Sequence, residues 1–350
     1  MKILIINHFG IGDVLFTTPV LYNLRLAYPQ ADITYLANRR TQEFLCQNPS
    51  ISKVLVYERD EFVEVYRKNP LASYAKWFAL FKEIKADQFD IVLDFSLNTT
   101  FSFLTMICGI PRRIGFDYRH RGRFLTDKIP LEGFEGKHVV EHYLDLLKPL
   151  NVPITDKHMR LDIPSKEIQW AKDWVKSHHL DSNKPIICVV PGGGSSWGAA
   201  GRFRRWSVDK YAVLIDKIIE KFDAAVILLG NKNEEELYRD IARQVKFPLY
   251  SAIGQTTILQ MAALFKQSRL AVINDGGSMH VAAACGIKIV CVFGPVDALI
   301  YGPYPSKDYT IVHKNLACQP CYRRFRLAQC QHVSCLRDLS VDEVFQQVAL

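Results

Sequence analysis

Residues 2–13, KILIINHFGIGD, and residues 186–194, IICVVPGGG, follow one plan: a short, almost wholly apolar run that stops at glycines. A run of that length, rich in β-branched residues and lacking polar alternation, suits a strand of a parallel sheet covered on both faces. After the first run, Val14, Leu15, Thr18, Leu21 and Leu24 recur at helical spacing until Pro29 ends the pattern. Similar apolar runs stand at 33–38, 54–57 and 90–95 in the first half, and at 224–230, 270–275 and 289–294 in the second. Strand, glycine turn and helix, repeated in two halves, predict an α/β protein with two doubly wound domains. The stretch 161–184, with Trp170 and Trp174, reads as the connection between them.

Composition is consistent with that plan. A length of 350 residues suggests about two domains, and 49% hydrophobic residues exclude a disordered or fibrous chain. No apolar run approaches the roughly 18 residues of a membrane span. The N-terminal run ends at Gly10 without a cleavage-site pattern, so a cytoplasmic address is expected. The net charge of +8 is uneven. Arg112, Arg113, Arg119, Arg121 and Arg123 stand against Asp117 alone, residues 202–210 carry four cations against Asp209, and residues 314–337 hold five cations and no acid. Basic runs of this kind suit an anionic partner. Nucleic acid is not expected, because no basic helix or aromatic sheet motif accompanies the charge.

Ligands of open α/β sheets bind outside the carboxyl ends of the strands, so the glycine turns carry the chemistry. In Phe9-Gly10-Ile11-Gly12-Asp13, Asp13 can either cap the helix that follows or act as a general base. Position 15 is Leu, so a G-x-G-x-x-G dinucleotide fingerprint is not supported. In Asn274-Asp275-Gly276-Gly277-Ser278-Met279-His280, unobstructed backbone N–H groups at a helix start form a ready anion site; His280 is either a phosphate contact or an interior histidine. Gly192, Gly193 and Ser195, followed by Arg202, Arg204 and Arg205, suit a pyrophosphate. Beyond the next strand, Glu234 and Glu235 could bond ribose hydroxyls or simply start a helix. There is no G-x-x-x-x-G-K-[ST] loop and no Asp-x-Asp pair.

Cys46, Cys108, Cys188, Cys285 and Cys291 sit among apolar neighbours and are expected as reduced core residues. Cys318, Cys321, Cys330 and Cys335 lie within 18 residues. They could enclose a structural Zn or Fe ion, or remain free thiols packed in a loop.

Taken in order, GxGD-V-L-x-T-x-P at 10–19, PG…RRW at 191–206 and NDGGSMHVAAACG…VFGP at 274–295 resemble the ADP-heptose lipopolysaccharide heptosyltransferases, glycosyltransferase family 9. The Cys-x-Pro-Cys segment at 318–321 resembles the second-heptose branch. The resemblance implies the GT-B fold, two Rossmann-like domains facing across a cleft. It implies an acceptor-binding domain over 1–165, a nucleotide-sugar domain over 166–335, and a C-terminal helix over 336–350 packing back on the first domain. The implied activity is inverting, metal-independent transfer of L-glycero-D-manno-heptose from an ADP-sugar to the anionic lipopolysaccharide inner core, with no cofactor required.

Carried onto this sequence, the motif aspartate falls on Asp13 as base. Arg204 neutralises the leaving diphosphate at a position where many members carry Lys. The donor lies against Gly192, Gly193, Ser195, Glu234, Asp275, Gly276, Gly277, Ser278, Met279 and His280. The acceptor docks at Gly12, Arg112, Arg113, Arg119, Arg121 and Arg123, with peripheral contact to the inner-membrane surface. Transfer to a protein or another glycan, a nucleotide-sugar epimerase and a non-catalytic nucleotide-sugar binder are the competing readings.

Overall fold

A computed structural model describes residues 1–180, 183–194, 198–305 and 308–349. The chain forms two compact units that divide between Met159 and Arg160. In the first unit, strands β1 (Lys2–Ile6), β2 (Asp32–Ala37), β3 (Lys53–Val56), β4 (Ile91–Asp94), β5 (Arg112–Tyr118) and β6 (Asp127–Leu131) form one sheet in the order β3-β2-β1-β4-β5-β6. Every pairing is parallel, with Ile3 opposite Ile33 on one side and Ile91 on the other. Ile3, Leu4, Ile5 and Ile6 are fully buried, as the unbroken apolar run requires of a central strand covered on both faces. Each such side chain contributes roughly 1.5–3 kcal/mol on leaving water.

The second unit repeats this topology. Strands β7 (Ile186–Val190), β8 (Ala225–Leu228), β9 (Tyr250–Ser251), β10 (Leu270–Asn274), β11 (Lys288–Val292) and β12 (Tyr309–Val312) run β12-β11-β10-β7-β8-β9, again all parallel. Read from β9, it is the same order as the first sheet. Each sheet therefore has one switch point, where consecutive connections leave in opposite directions. It lies between β1 and β4 in the first unit and between β7 and β10 in the second. A small antiparallel hairpin, β13 (Tyr322–Arg323) with β14 (Arg326–Leu327), follows the second sheet.

Three expectations about organisation are corrected. The stretch 161–184 is not a linker: Ser165–Ser177 is a helix that buries Ala171 and Trp174 and packs on the helix Ile258–Gln267 of the second unit. The boundary accordingly falls a few residues before 165. The C-terminal segment packs within the second unit. Leu336, Leu339, Val344 and Val348 are buried in the second unit's core, and the helix Val341–Phe345 packs on the helix Val208–Phe222. Of the five cysteines expected in the core, Cys188, Cys285 and Cys291 are buried, Cys108 is half-buried and Cys46 is exposed at a helix end.

Candidate functional site

The second unit's switch point gathers the residues singled out from its turns. The turn after β7 and the turn after β10 touch: a Cβ placed on Gly276 would meet the Gly193 carbonyl oxygen at 3.5 Å. Asn274 ties them further, donating from Nδ2 to the Pro191 carbonyl at 2.5 Å and accepting from the Tyr211 hydroxyl at 2.8 Å. Gly193 has no room for a side chain, since a Cβ would lie 2.7 Å from the Gly201 carbonyl. Gly192 lies against the Glu234 carboxylate, which a Cβ would meet at 2.3 Å.

Glu234 is 5% exposed, accepts from the Gly194 N–H at 3.1 Å and lies 3.5 Å from the Arg205 guanidinium. Glu235 points outward and pairs with Arg239 at 2.6 Å. Of the two carboxylates, Glu234 is the one that lies against the glycine turn. Arg204 pairs with Asp275 at 2.7 Å, with side chains 8% and 2% exposed. Oδ2 of Asp275 is buried and has no hydrogen-bond partner among the described residues. A guanidinium held next to a glycine turn, at the start of a helix, is suited to an anion.

The helix Gly277–Ala284 begins in this turn, and its first N–H groups, those of Gly277 and Ser278, have no intrahelical carbonyl to meet. Met279 does not add to them. Its N–H donates to the Gly276 carbonyl at 3.1 Å and its side chain is wholly buried. His280 is 6% exposed inside the same helix. Ser195 lies outside the described residues.

In the first unit, Asp13 sits at the carboxyl end of β1, at that sheet's switch point. Its Oδ2 accepts from the Gly10 N–H at 3.2 Å, capping the helix Ile11–Leu15, while Asn7 Nδ2 donates to its carbonyl at 3.0 Å. Gly12 is its half-buried neighbour in that helix. Two further titratable groups border the same switch point, and neither was singled out from sequence. Asp94 ends β4 opposite Ile6, is 4% exposed and accepts from the Ser96 N–H at 2.8 Å; burial pushes its carboxyl up to about 6. His8 packs against Phe9, Tyr57 and Phe101, and burial holds its imidazole down at about 4. A carboxylate that ends an apolar strand, and a histidine two residues past the end of another, are the sequence signals that mark them.

The basic run 112–123 is split by the fold. Arg112 and Arg113 begin β5 and so lie at the amino end of the sheet, away from the ligand edge. Arg112 pairs with Asp127 at 3.3 Å, and Arg113 donates from Nε to the Phe124 carbonyl at 2.8 Å. These contacts brace the edge strand. Arg119 and Arg121 follow the carboxyl end of β5 and lie over the Tyr118 ring at 5.0 and 5.6 Å. Arg123 lies over Phe124 at 5.0 Å.

Nothing in the structure supports the metal ion expected at the four cysteines. Among the described residues, no three His, Cys, Asp or Glu side chains converge as a ligand set. Cys318 is exposed, Cys321 and Cys330 are half-buried, and Cys335 turns into the core. Among the described residues, no helix is long and apolar enough to cross a membrane.

Two Rossmann-like units, each built on a parallel six-stranded sheet with one switch point, are the architecture of the GT-B class of glycosyltransferase. A family model described as glycosyltransferase family 9 (heptosyltransferase) matches residues 77–332, and the chain belongs to that family. It is 26% identical over 304 residues to lipopolysaccharide heptosyltransferase 3 of Escherichia coli, covering 84% of each chain. It is 23% identical over 350 residues to lipooligosaccharide heptosyltransferase 2 of Campylobacter jejuni, covering 99% of this chain and 97% of that one. The solved structure of E. coli ADP-heptose lipopolysaccharide heptosyltransferase II superposes with a TM-score of 0.76 at 22% identity, covering 99% and 97%.

Proposed function

We propose that this glycosyltransferase moves L-glycero-D-manno-heptose from ADP-heptose to the lipopolysaccharide inner core, inverting the anomeric centre without a metal ion. The observation that carries the reading is the second unit's switch point. There the Arg204 guanidinium, the Gly277 and Ser278 N–H groups and the Glu234 carboxylate surround two touching glycine turns. A diphosphate fits the cation and the N–H groups; a ribose hydroxyl fits the carboxylate. The heptosyl donor and core acceptor follow from the names of the relatives.

In the proposed reaction, Asp13 takes the proton of the acceptor hydroxyl. The hydroxyl oxygen bonds to C1 of the sugar, and the bond from C1 to the diphosphate breaks with its electron pair leaving on phosphate oxygen. Attack opposite the leaving group inverts C1. Arg204 and the turn N–H groups take up the charge that develops on the diphosphate, the role a divalent ion fills in other transferases. Gly12, Arg119, Arg121 and Arg123 are the proposed acceptor contacts. Contact with an anionic bilayer is supported by the helix Pro70–Asp87, where Leu71, Tyr74 and Phe78 are 80%, 67% and 55% exposed. They share one face, and Lys82 lies 4.8 Å from the Phe78 ring centre.

A panel of ADP-, GDP- and UDP-sugars tests the donor: turnover with ADP-heptose is expected, and none with any ADP-sugar ends the reading. Asp13→Asn keeps a cap oxygen, so it should abolish transfer while leaving ADP affinity within about twofold. Substantial turnover by that variant removes Asp13 from the base role.

A further inference from the structure

Two basic runs of the second unit, 202–210 and 314–337, meet on one cavity of about 790 Å³. Arg202, Arg205, Lys210 and Arg337 bring four cations to its wall and Asp209 its one carboxylate, while Phe203 contributes an apolar surface. None of residues 275–280 lines it. The segment that separates it from the switch point is two-sided: Arg204 turns to Asp275 and Arg202 faces the cavity, while Arg205 lines the cavity and also reaches Glu234.

The cations are held in different ways. Lys210 donates to the Leu336 and Leu339 carbonyls at 3.4 and 2.7 Å, which fixes the two runs against each other without neutralising its charge. Arg205 leans on Glu234. Arg337 pairs with Asp338 at 2.8 Å where both are well exposed, an interaction of little strength in water. Arg202 lies over the Phe203 ring at 4.9 Å and makes no ion pair among the described residues. Gathered cations of this number attract a multiply charged anion, and guanidinium forks match phosphate oxygens in pairs.

We propose that this cavity is a second anion site, for a phosphate group carried on a saccharide, distinct from the switch-point site that receives the donor. The volume is that of a pocket for a molecule larger than a single ion, and Phe203 gives its wall an apolar part. The choice of saccharide rests on the proposed glycan acceptor; the anion site itself does not.

The test uses the full chain saturated with ADP, titrated by calorimetry with a deacylated, phosphorylated inner-core oligosaccharide and with the same oligosaccharide after phosphatase treatment. The phosphorylated form is expected to bind about tenfold tighter or better. In Arg202→Gln/Arg337→Gln that preference should fall below about threefold with ADP affinity unchanged, and in Arg202→Lys/Arg337→Lys most of it should return. A wild-type protein indifferent to the phosphate, or a Gln variant that keeps the preference, overturns the proposal. Inorganic phosphate is the second probe. Displacement of the oligosaccharide at millimolar phosphate supports the site with free phosphate as its ligand, and failure to displace supports the glycan-borne group. If wild type binds no ADP yet the two variants still differ toward phosphate, the donor reading fails and the anion site stands.

Discussion

Nη2 of Arg204 lies 2.7 Å from Oδ1 of Asp275, and both side chains are buried. The pair joins the strand-to-helix turn after β10 to the segment after β7, so Arg204 has a structural partner as well as a proposed chemical role. Removing one member of a buried ion pair leaves the other charge uncompensated, which costs about 3–5 kcal/mol. Loss of activity in Arg204→Ala alone would therefore not distinguish chemistry from collapse of the turn.

The first prediction separates the two. Arg204→Ala should lower unfolding free energy by about 3–5 kcal/mol, and Arg204→Met/Asp275→Leu should recover most of that loss while remaining inactive. Arg204→Lys keeps the charge and should fold nearly normally, with its defect in kcat more than in stability. Denaturant melts beside steady-state rates decide this. An Ala variant within about 1 kcal/mol of wild type would show that the pair does not hold the turn.

The parts of the fold visible in sequence are those with the strongest physical signature. Eight strands were expected from apolar runs, and these include the four that flank the two switch points, β1, β4, β7 and β10. The four remaining strands of the two sheets, β5, β6, β9 and β12, lie toward the margins. β5 opens with Arg112 and Arg113 and so reads as a charge run; β6 contains Pro130, which suits an edge strand but breaks a strand pattern; β9 is two residues long. The turn residues of the second unit were legible because glycine and charge stand together there. The Arg204–Asp275 pair was not, since 71 residues separate its members and no local pattern links them. The cysteine spacing suggested a metal, but spacing does not report that Cys335 is an inward residue of the helix Ser334–Arg337.

The second prediction concerns pH. The Asp94 carboxyl is raised from 3.8 to about 6 in the fold, so its contribution is fully present below about pH 4 and is lost as pH rises through 6. His8 is lowered from 6.5 to about 4, so its contribution is complete above pH 6.5 and is lost as pH falls toward 4. The two oppose each other across the same window. Asp94→Asn keeps an oxygen for the Ser96 N–H and should be more stable than wild type at pH 7–8, by at most about 3 kcal/mol. His8→Phe should lose the acid-side decline. Urea midpoints from pH 4 to 8 check both, and a wild-type-like pH profile in either variant contradicts the assignment of that group.

The third prediction concerns the exposed stripe of the helix Pro70–Asp87. Its inner face, with Leu80 and Ile84, is buried in the first unit's core, so Leu71, Tyr74 and Phe78 are not needed for that packing. An apolar row of this kind beside lysines is costly to leave in water and suits an anionic bilayer, where rings enter the interface and ammonium groups meet lipid phosphate. Leu71→Ser/Tyr74→Ser/Phe78→Ser should reduce cosedimentation with vesicles containing anionic lipid about tenfold or more, leaving ADP affinity and thermal stability close to wild type. Wild-type binding should weaken with added salt, because part of the attraction is Coulombic. Vesicle binding equal in wild type and triple variant would remove this face from membrane contact.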